Sequence, residues 1–90
     1  MPESSEQAIT LSGDLHARPA GQLAVAAAKF EADVSLVVGD RTANAKSVLT
    51  VMGLGATSGQ QVTVTATGPD AEQAVAAVVA ILADATTVGG

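Results

Sequence analysis

Ile9 and Leu11 alternate with Thr10 and Ser12, the two-residue period of a strand that buries one face. From Pro19 the period lengthens. Leu23, Ala27 and Phe30 follow at offsets of four and three, which stacks them on one face of a helix. Pro19 suits that helix's first turn, where a missing N–H costs nothing. Val34, Leu36 and Val38 then alternate with Ser35 and Val37 up to Gly39-Asp40, a pair suited to a two-residue hairpin turn. A return strand over residues 41–45 is predicted. Ser47 is placed to N-cap a short helix running through Met52, with Gly53 ending it in the left-handed conformation and Leu54 packing back. Val62, Val64 and Ala66, interleaved with Thr63, Thr65 and Thr67, give the plainest strand of the chain. Asp70 and Gln73 have the spacing of a capping box, and Val75, Val78, Val79 and Leu82 form the apolar stripe of a last helix. Residues 86–90 are predicted to fray.

The predicted order is β-α-β-β-α-β-α, with no internal repeat and no linker. With the sheet faces alternating as read, one face is covered by helices and the Thr/Ser face meets water, an open-faced α+β sandwich. Ninety residues suit one domain spanning 1–90, with little room for an internal substrate cavity.

Nine acidic residues against Arg18, Lys29, Arg41 and Lys46 give a net charge of -5, which disfavours nucleic acid as a partner. Phe30 is the sole aromatic, so bases would find no stacking platform. There is no cysteine for a disulfide or thiolate site, and one histidine cannot hold zinc by itself, so no metal or other cofactor is implied. The first residues carry Glu3 and Glu6 instead of a basic leader, and no apolar run reaches the ~20 residues needed to insert in a membrane. These features fit a cytoplasmic protein.

His16-Ala17-Arg18-Pro19 falls at the predicted joint between the first strand and the first helix. A helix N-terminus leaves backbone N–H groups unpaired and carries partial positive charge, so an anion is favoured there. Pro19 has no N–H, which leaves Ala17, Arg18 and Ala20 as phosphate-binding donors, with the Arg18 guanidinium adding charge-assisted bonds. An imidazole beside such a cradle offers a ring-nitrogen lone pair as nucleophile. The plainer alternative has His16 capping the helix and Arg18 as a solvated charge. Small neighbours Ala17, Ala20 and Gly21 favour an accessible nucleophile instead. Apart from Asp14, no acid or base stands near His16 in sequence to complete a catalytic pair, and no substrate pocket is apparent, which argues against a self-contained enzyme.

The segment Leu15-His16-Ala17-Arg18-Pro19-Ala20 resembles the phosphorylation motif of the HPr family, the histidine-containing phosphocarriers of the bacterial sugar phosphotransferase system. A second stretch, Asn44-Ala45-Lys46-Ser47-Val48-Leu49 continuing to Met52-Gly53-Leu54-Gly55, is similar to that family's regulatory-serine segment and lies in register with the first. The resemblance implies the HPr-like fold, a four-stranded antiparallel sheet with three helices on one face. It implies that enzyme I, charged from phosphoenolpyruvate, phosphorylates His16 at Nδ1, and that sugar-specific enzyme II proteins, through their A-type domains, take the group. Arg18 matches the family's active-site arginine, and Ser47 the serine that a dedicated ATP-dependent kinase modifies in many Gram-positive bacteria. Two positions depart from the pattern. Asp14 stands where a small residue, commonly Gly, precedes the histidine by two, and Gly21 stands where Ala or Thr is common.

Val48, Leu49 and Met52 cannot all face one core from a short helix. Leu49 and Met52 are assigned to an exposed docking patch, and Val51 and Leu54 to the core. With Ala17, Ala20, Lys46 and Val48 they make the predicted partner surface. Ser47 reads both as an N-cap and as a phosphorylation site, and the two roles are compatible. The other readings are a carrier serving a nitrogen-regulatory or dihydroxyacetone branch, and a regulatory protein whose phospho-Ser47 form docks on a transcriptional regulator or metabolic enzyme. A monomer is expected.

Overall fold

The computed structural model, which describes residues 3–85, contains β1 (Ser4–Thr10), α1 (Ala17–Ala28), β2 (Asp33–Val38), β3 (Arg41–Asn44), α2 (Val48–Gly53), β4 (Gln61–Thr67) and α3 (Ala71–Ala85). The order is the predicted one. The strands lie side by side as β1-β4-β2-β3, and every neighbouring pair is antiparallel. β4 thus separates β1 from β2, and β2 separates β3 from β4. The two helical crossovers, through α1 and through α2, interlock as split β-α-β units.

Register fixes which side chains share a face. Val34 opposes Ala66 and Leu36 opposes Val64, all four buried beneath the helices. Ser35 opposes Thr65 and Val37 opposes Thr63 on the face without helices, where these residues are only half-buried. From the other side Leu23, Ala27, Val78 and Leu82 close the core, each with no accessible surface. Fully burying one leucine is worth about 1.5–3 kcal/mol, so these few apolar contacts dominate what holds the helices to the sheet. The hairpin joining β2 to β3 pairs Val38 with Arg41 across Gly39-Asp40, and Gly39 supplies the positive φ of 59° that a type II′ turn takes at its first position.

Five predicted details change. β1 begins at Ser4 and ends at Thr10, so Leu11 lies past the strand, although it is buried as expected. β1 is an edge strand carrying Ser4, Ser5, Glu6 and Gln7, and a strand so polar at its start shows no alternation to read. α1 starts at Ala17, ahead of Pro19, and Phe30 packs half-buried beyond its end. β3 closes at Asn44, while Ala45 still donates its N–H to the Val34 carbonyl at 2.9 Å. Gly53 is the last residue of α2, and the left-handed glycine is Gly55 at φ 61°, after Leu54 has turned inward to its buried position. Finally, the Asp70 carboxylate accepts the N–H groups of Glu31 at 2.9 Å and Ala32 at 2.8 Å, tying the α1–β2 turn to the start of α3 where a capping box was predicted. The fraying predicted for 86–90 lies outside the described residues.

Candidate functional site at the first strand–helix joint

The chain leaves β1 along the edge of β4 and is held there residue by residue. Leu11 donates its N–H to the Gln60 carbonyl at 2.9 Å and accepts from Gly59 at 2.8 Å. Leu15 donates to the Ala56 carbonyl at 3.1 Å, and the Asp14 carboxylate accepts the Ser58 N–H at 2.9 Å. Leu15 is buried and His16 exposed, so one residue carries the chain from core to solvent. His16 takes the N-cap position of α1 in extended conformation (φ -90°, ψ 171°), and its side chain makes no capping bond. The imidazole is therefore not spent on the helix, and the capping alternative for His16 is removed.

Ala20 donates its N–H to the His16 carbonyl at 3.0 Å, the first bond of the helix. That corrects the predicted phosphate cradle. Because α1 starts two residues ahead of Pro19, Ala20 is already a helical donor, and in the first turn of α1 the N–H groups left without acceptors among the described residues are those of Ala17 and Arg18. Ala20 is also 0% exposed, so it supports the site from below and cannot form part of a docking surface. Arg18 is exposed, and its guanidinium has no hydrogen-bond partner among the described residues. Residues 16–18 thus carry a free imidazole, two free amides and a free guanidinium at a helix N-terminus, a setting suited to an anion.

α2 runs antiparallel to α1. Its start is linked to the end of α1 by the Lys46 ammonium, which donates to the Phe30 carbonyl at 3.1 Å, and the loop after its end meets Leu15 through Ala56. Lys46 is half-buried, and its ammonium serves the packing of α2 against the end of α1 through that carbonyl. Ser47 does cap α2, its Oγ accepting the Thr50 N–H at 3.4 Å, a long bond. The Thr50 hydroxyl lies within bonding distance of the carbonyls of Asn44 (2.9 Å) and Ser47 (3.1 Å), adding to the cap. Leu49 is 86% exposed, and Val48 and Met52 are each 39% exposed, while Val51 and Leu54 are buried. The division between core and surface on α2 follows the predicted one.

The tie between Asp14 and Ser58 spans 44 residues, and sequence reading missed it.

Among the described residues no helix is long and apolar enough to cross a membrane. Fold and site together define a class: an open-faced α+β sandwich that displays one unencumbered histidine at a strand–helix joint. Residues 4–84 match the family described as PTS-HPr, the PTS HPr component phosphorylation site. The phosphocarrier protein HPr of Mycoplasma capricolum is 35% identical over 82 residues, covering 91% of this chain and 92% of the relative. That of Vibrio cholerae is 39% identical over 74 residues, 82% of this chain and 87% of the relative. A solved histidine-containing phosphocarrier protein of Mycoplasma superposes with a TM-score of 0.81 at 33% identity, over 98% of this chain and 100% of that one. The chain belongs to the HPr family of phosphocarrier proteins of the phosphotransferase system.

Proposed function

We propose that His16 accepts a phosphoryl group from a phosphohistidine of enzyme I and passes it to an enzyme II A-type domain. A ring nitrogen of His16, Nδ1 by family resemblance, attacks phosphorus as the donor's P–N bond breaks, and the reverse geometry serves the next transfer. The N–H groups of Ala17 and Arg18 and the Arg18 guanidinium hold the phosphoryl oxygens. The observation that carries this reading is His16 itself, exposed at the N-cap with no capping bond from its side chain. Val48, Leu49 and Met52 serve as the shared docking patch, an apolar surface beside the cationic joint. Ser47 acts as a second, regulatory site for a serine kinase, in addition to capping α2.

The test incubates the protein with phosphoenolpyruvate, magnesium and a heterologous enzyme I and follows intact mass. The parent gains one phosphoryl group that acid removes, while His16→Ala gains none and keeps the parental circular dichroism. Equal labelling of His16→Ala would place the acceptor elsewhere and sink the assignment.

A further inference from the structure

Asp14 is a departure from the family resemblance, and its carboxylate lies two residues before the proposed acceptor. A bare charge at that position would simply repel a phosphoryl group. In the fold the carboxylate has another task. Oδ1 accepts the Ser58 N–H at 2.9 Å, bridging the segment that leads to His16 and the loop that leads into β4. The same two segments are joined by three backbone bonds, Leu11 to Gln60, Gly59 to Leu11 and Leu15 to Ala56, at 2.8–3.1 Å. Glycine at position 14 would retain those three and lose the fourth.

The fourth bond matters because the others that hold this segment, from Leu15 to Ala56 and from Ala20 to the His16 carbonyl, are backbone bonds that leave the His16 side chain untied. That side chain makes no cap bond and its ring is exposed, so the ring's position is set only by the backbone that presents it. The charge-assisted bond from Asp14 adds the one side-chain tie among those that hold the segment presenting His16.

We propose that Asp14 is a positioning residue for phosphoryl transfer, its carboxylate latching the Ser58 amide so that the 14–16 segment presents His16 in one orientation. The proposal rests on His16 being the acceptor. Losing the latch lets the segment sample non-productive arrangements, and only the productive fraction reacts, so the rate at saturating partner falls while docking through α2 does not change.

Two variants separate the bond from the charge. Asp14→Asn keeps a side-chain oxygen for the Ser58 amide and removes the charge, whereas Asp14→Gly removes both. Transfer from enzyme I is measured as rate against carrier concentration, and hydrogen exchange of the Ser58 amide is followed by NMR in the same proteins. Asp14→Gly should lower the saturating rate by roughly fivefold, as expected for one solvent-exposed hydrogen bond whose charge assistance is screened by water, with half-saturation unchanged and faster Ser58 exchange. Asp14→Asn should restore most of both the rate and the protection. Asp14→Gly reacting at the parental rate overturns the latch, as does Asp14→Asn losing as much rate as Asp14→Gly, which would make the charge the operative feature. A parent that takes up no phosphoryl group overturns the acceptor assignment and this proposal together. Parental labelling with equal rates in all three proteins overturns the latch alone.

Discussion

Asp70 stands far from His16, at the end of the sheet where α1 hands over to β2 and β4 to α3. Its carboxyl is held below the usual carboxylate range, first by the Glu31 N–H, then by the N–H groups of Ala32 and of Asp70 itself and the charge of Lys46, with desolvation opposing. A carboxyl more acidic in the folded protein than in the unfolded chain stabilises the fold above the unfolded value of about 3.9. That contribution is lost as pH falls through the lower, folded value. Thermal unfolding between roughly pH 7 and pH 2 should therefore show the parent losing stability in acid more steeply than Asp70→Asn, which is less stable at neutral pH and has no charge to lose. Parallel curves for the two proteins would show that the carboxylate is not linked to folding. Local spacing pointed this residue at its own helix, because Asp70 and Gln73 look like a cap. Its real partners are 38 and 39 residues away, a distance at which no pattern in the sequence connects them. His16, Ala17 and Arg18 were legible for the opposite reason: their relation is contiguity, and a strand–helix joint is visible in the change of period. Ala20 was misplaced by a helix start set at Pro19, two residues late, which left a helical donor looking free.

Among the elements, α1 carries an avoidable weakness. Gly21 sits inside this twelve-residue helix without a positive φ, and a Cβ built there meets nothing within 4 Å. Neither conformation nor space requires glycine. Gly21→Ala should raise stability by about 0.5–1 kcal/mol, since glycine in a helix interior gives up more backbone entropy than alanine. Urea unfolding checks this directly: the midpoint should rise with an unchanged slope, and a lower midpoint would mean that the added methyl disturbs α1 against its neighbours. The elements are legible in the sequence where one face is strongly buried. β2 and β4 alternate cleanly because helices cover one side of each, and α3 shows its stripe because Val75, Val78 and Leu82 are buried. Legibility failed at the edges. β1 has neighbours on one side only and tolerates a polar start, and α2 is so short that its last turn could be placed at Gly53 or Gly55 with equal sense until the φ angles decided for Gly55.

At the scale of the molecule the antiparallel sheet sends α1 and α2 in opposite directions, so His16 and Ser47 occupy opposite ends of the helical layer. His16 opens α1 beside the loop that follows α2, and Ser47 opens α2 beside the turn that follows α1, where Lys46 reaches Phe30. Exposed Val48, Leu49 and Met52 lie on α2 between those ends. A charge on Ser47 thus stands at the end of α2 opposite to the loop that meets Leu15, and adjacent to the docking patch. Ser47→Asp keeps an oxygen that can cap α2 and puts its charge where the helix dipole favours it, so stability should change by less than about 0.5 kcal/mol. Desolvating that carboxylate against a partner is unfavourable, so the carrier concentration giving half-maximal transfer from enzyme I should rise, by roughly threefold to tenfold, equivalent to about 0.7–1.4 kcal/mol of lost association. The saturating rate should hold, because nothing at His16, Ala17 or Arg18 has moved. This is the inverse of the pattern expected for Asp14→Gly, which lowers the saturating rate and leaves half-saturation alone, so the two variants assayed side by side assign one end of the layer to chemistry and the other to recognition. If Ser47→Asp lowers the saturating rate instead, α2 is coupled to the joint through Gly55 and Ala56, and the charge is felt at His16. If it changes neither quantity, Ser47 serves α2 as a cap and the docking patch lies out of its reach.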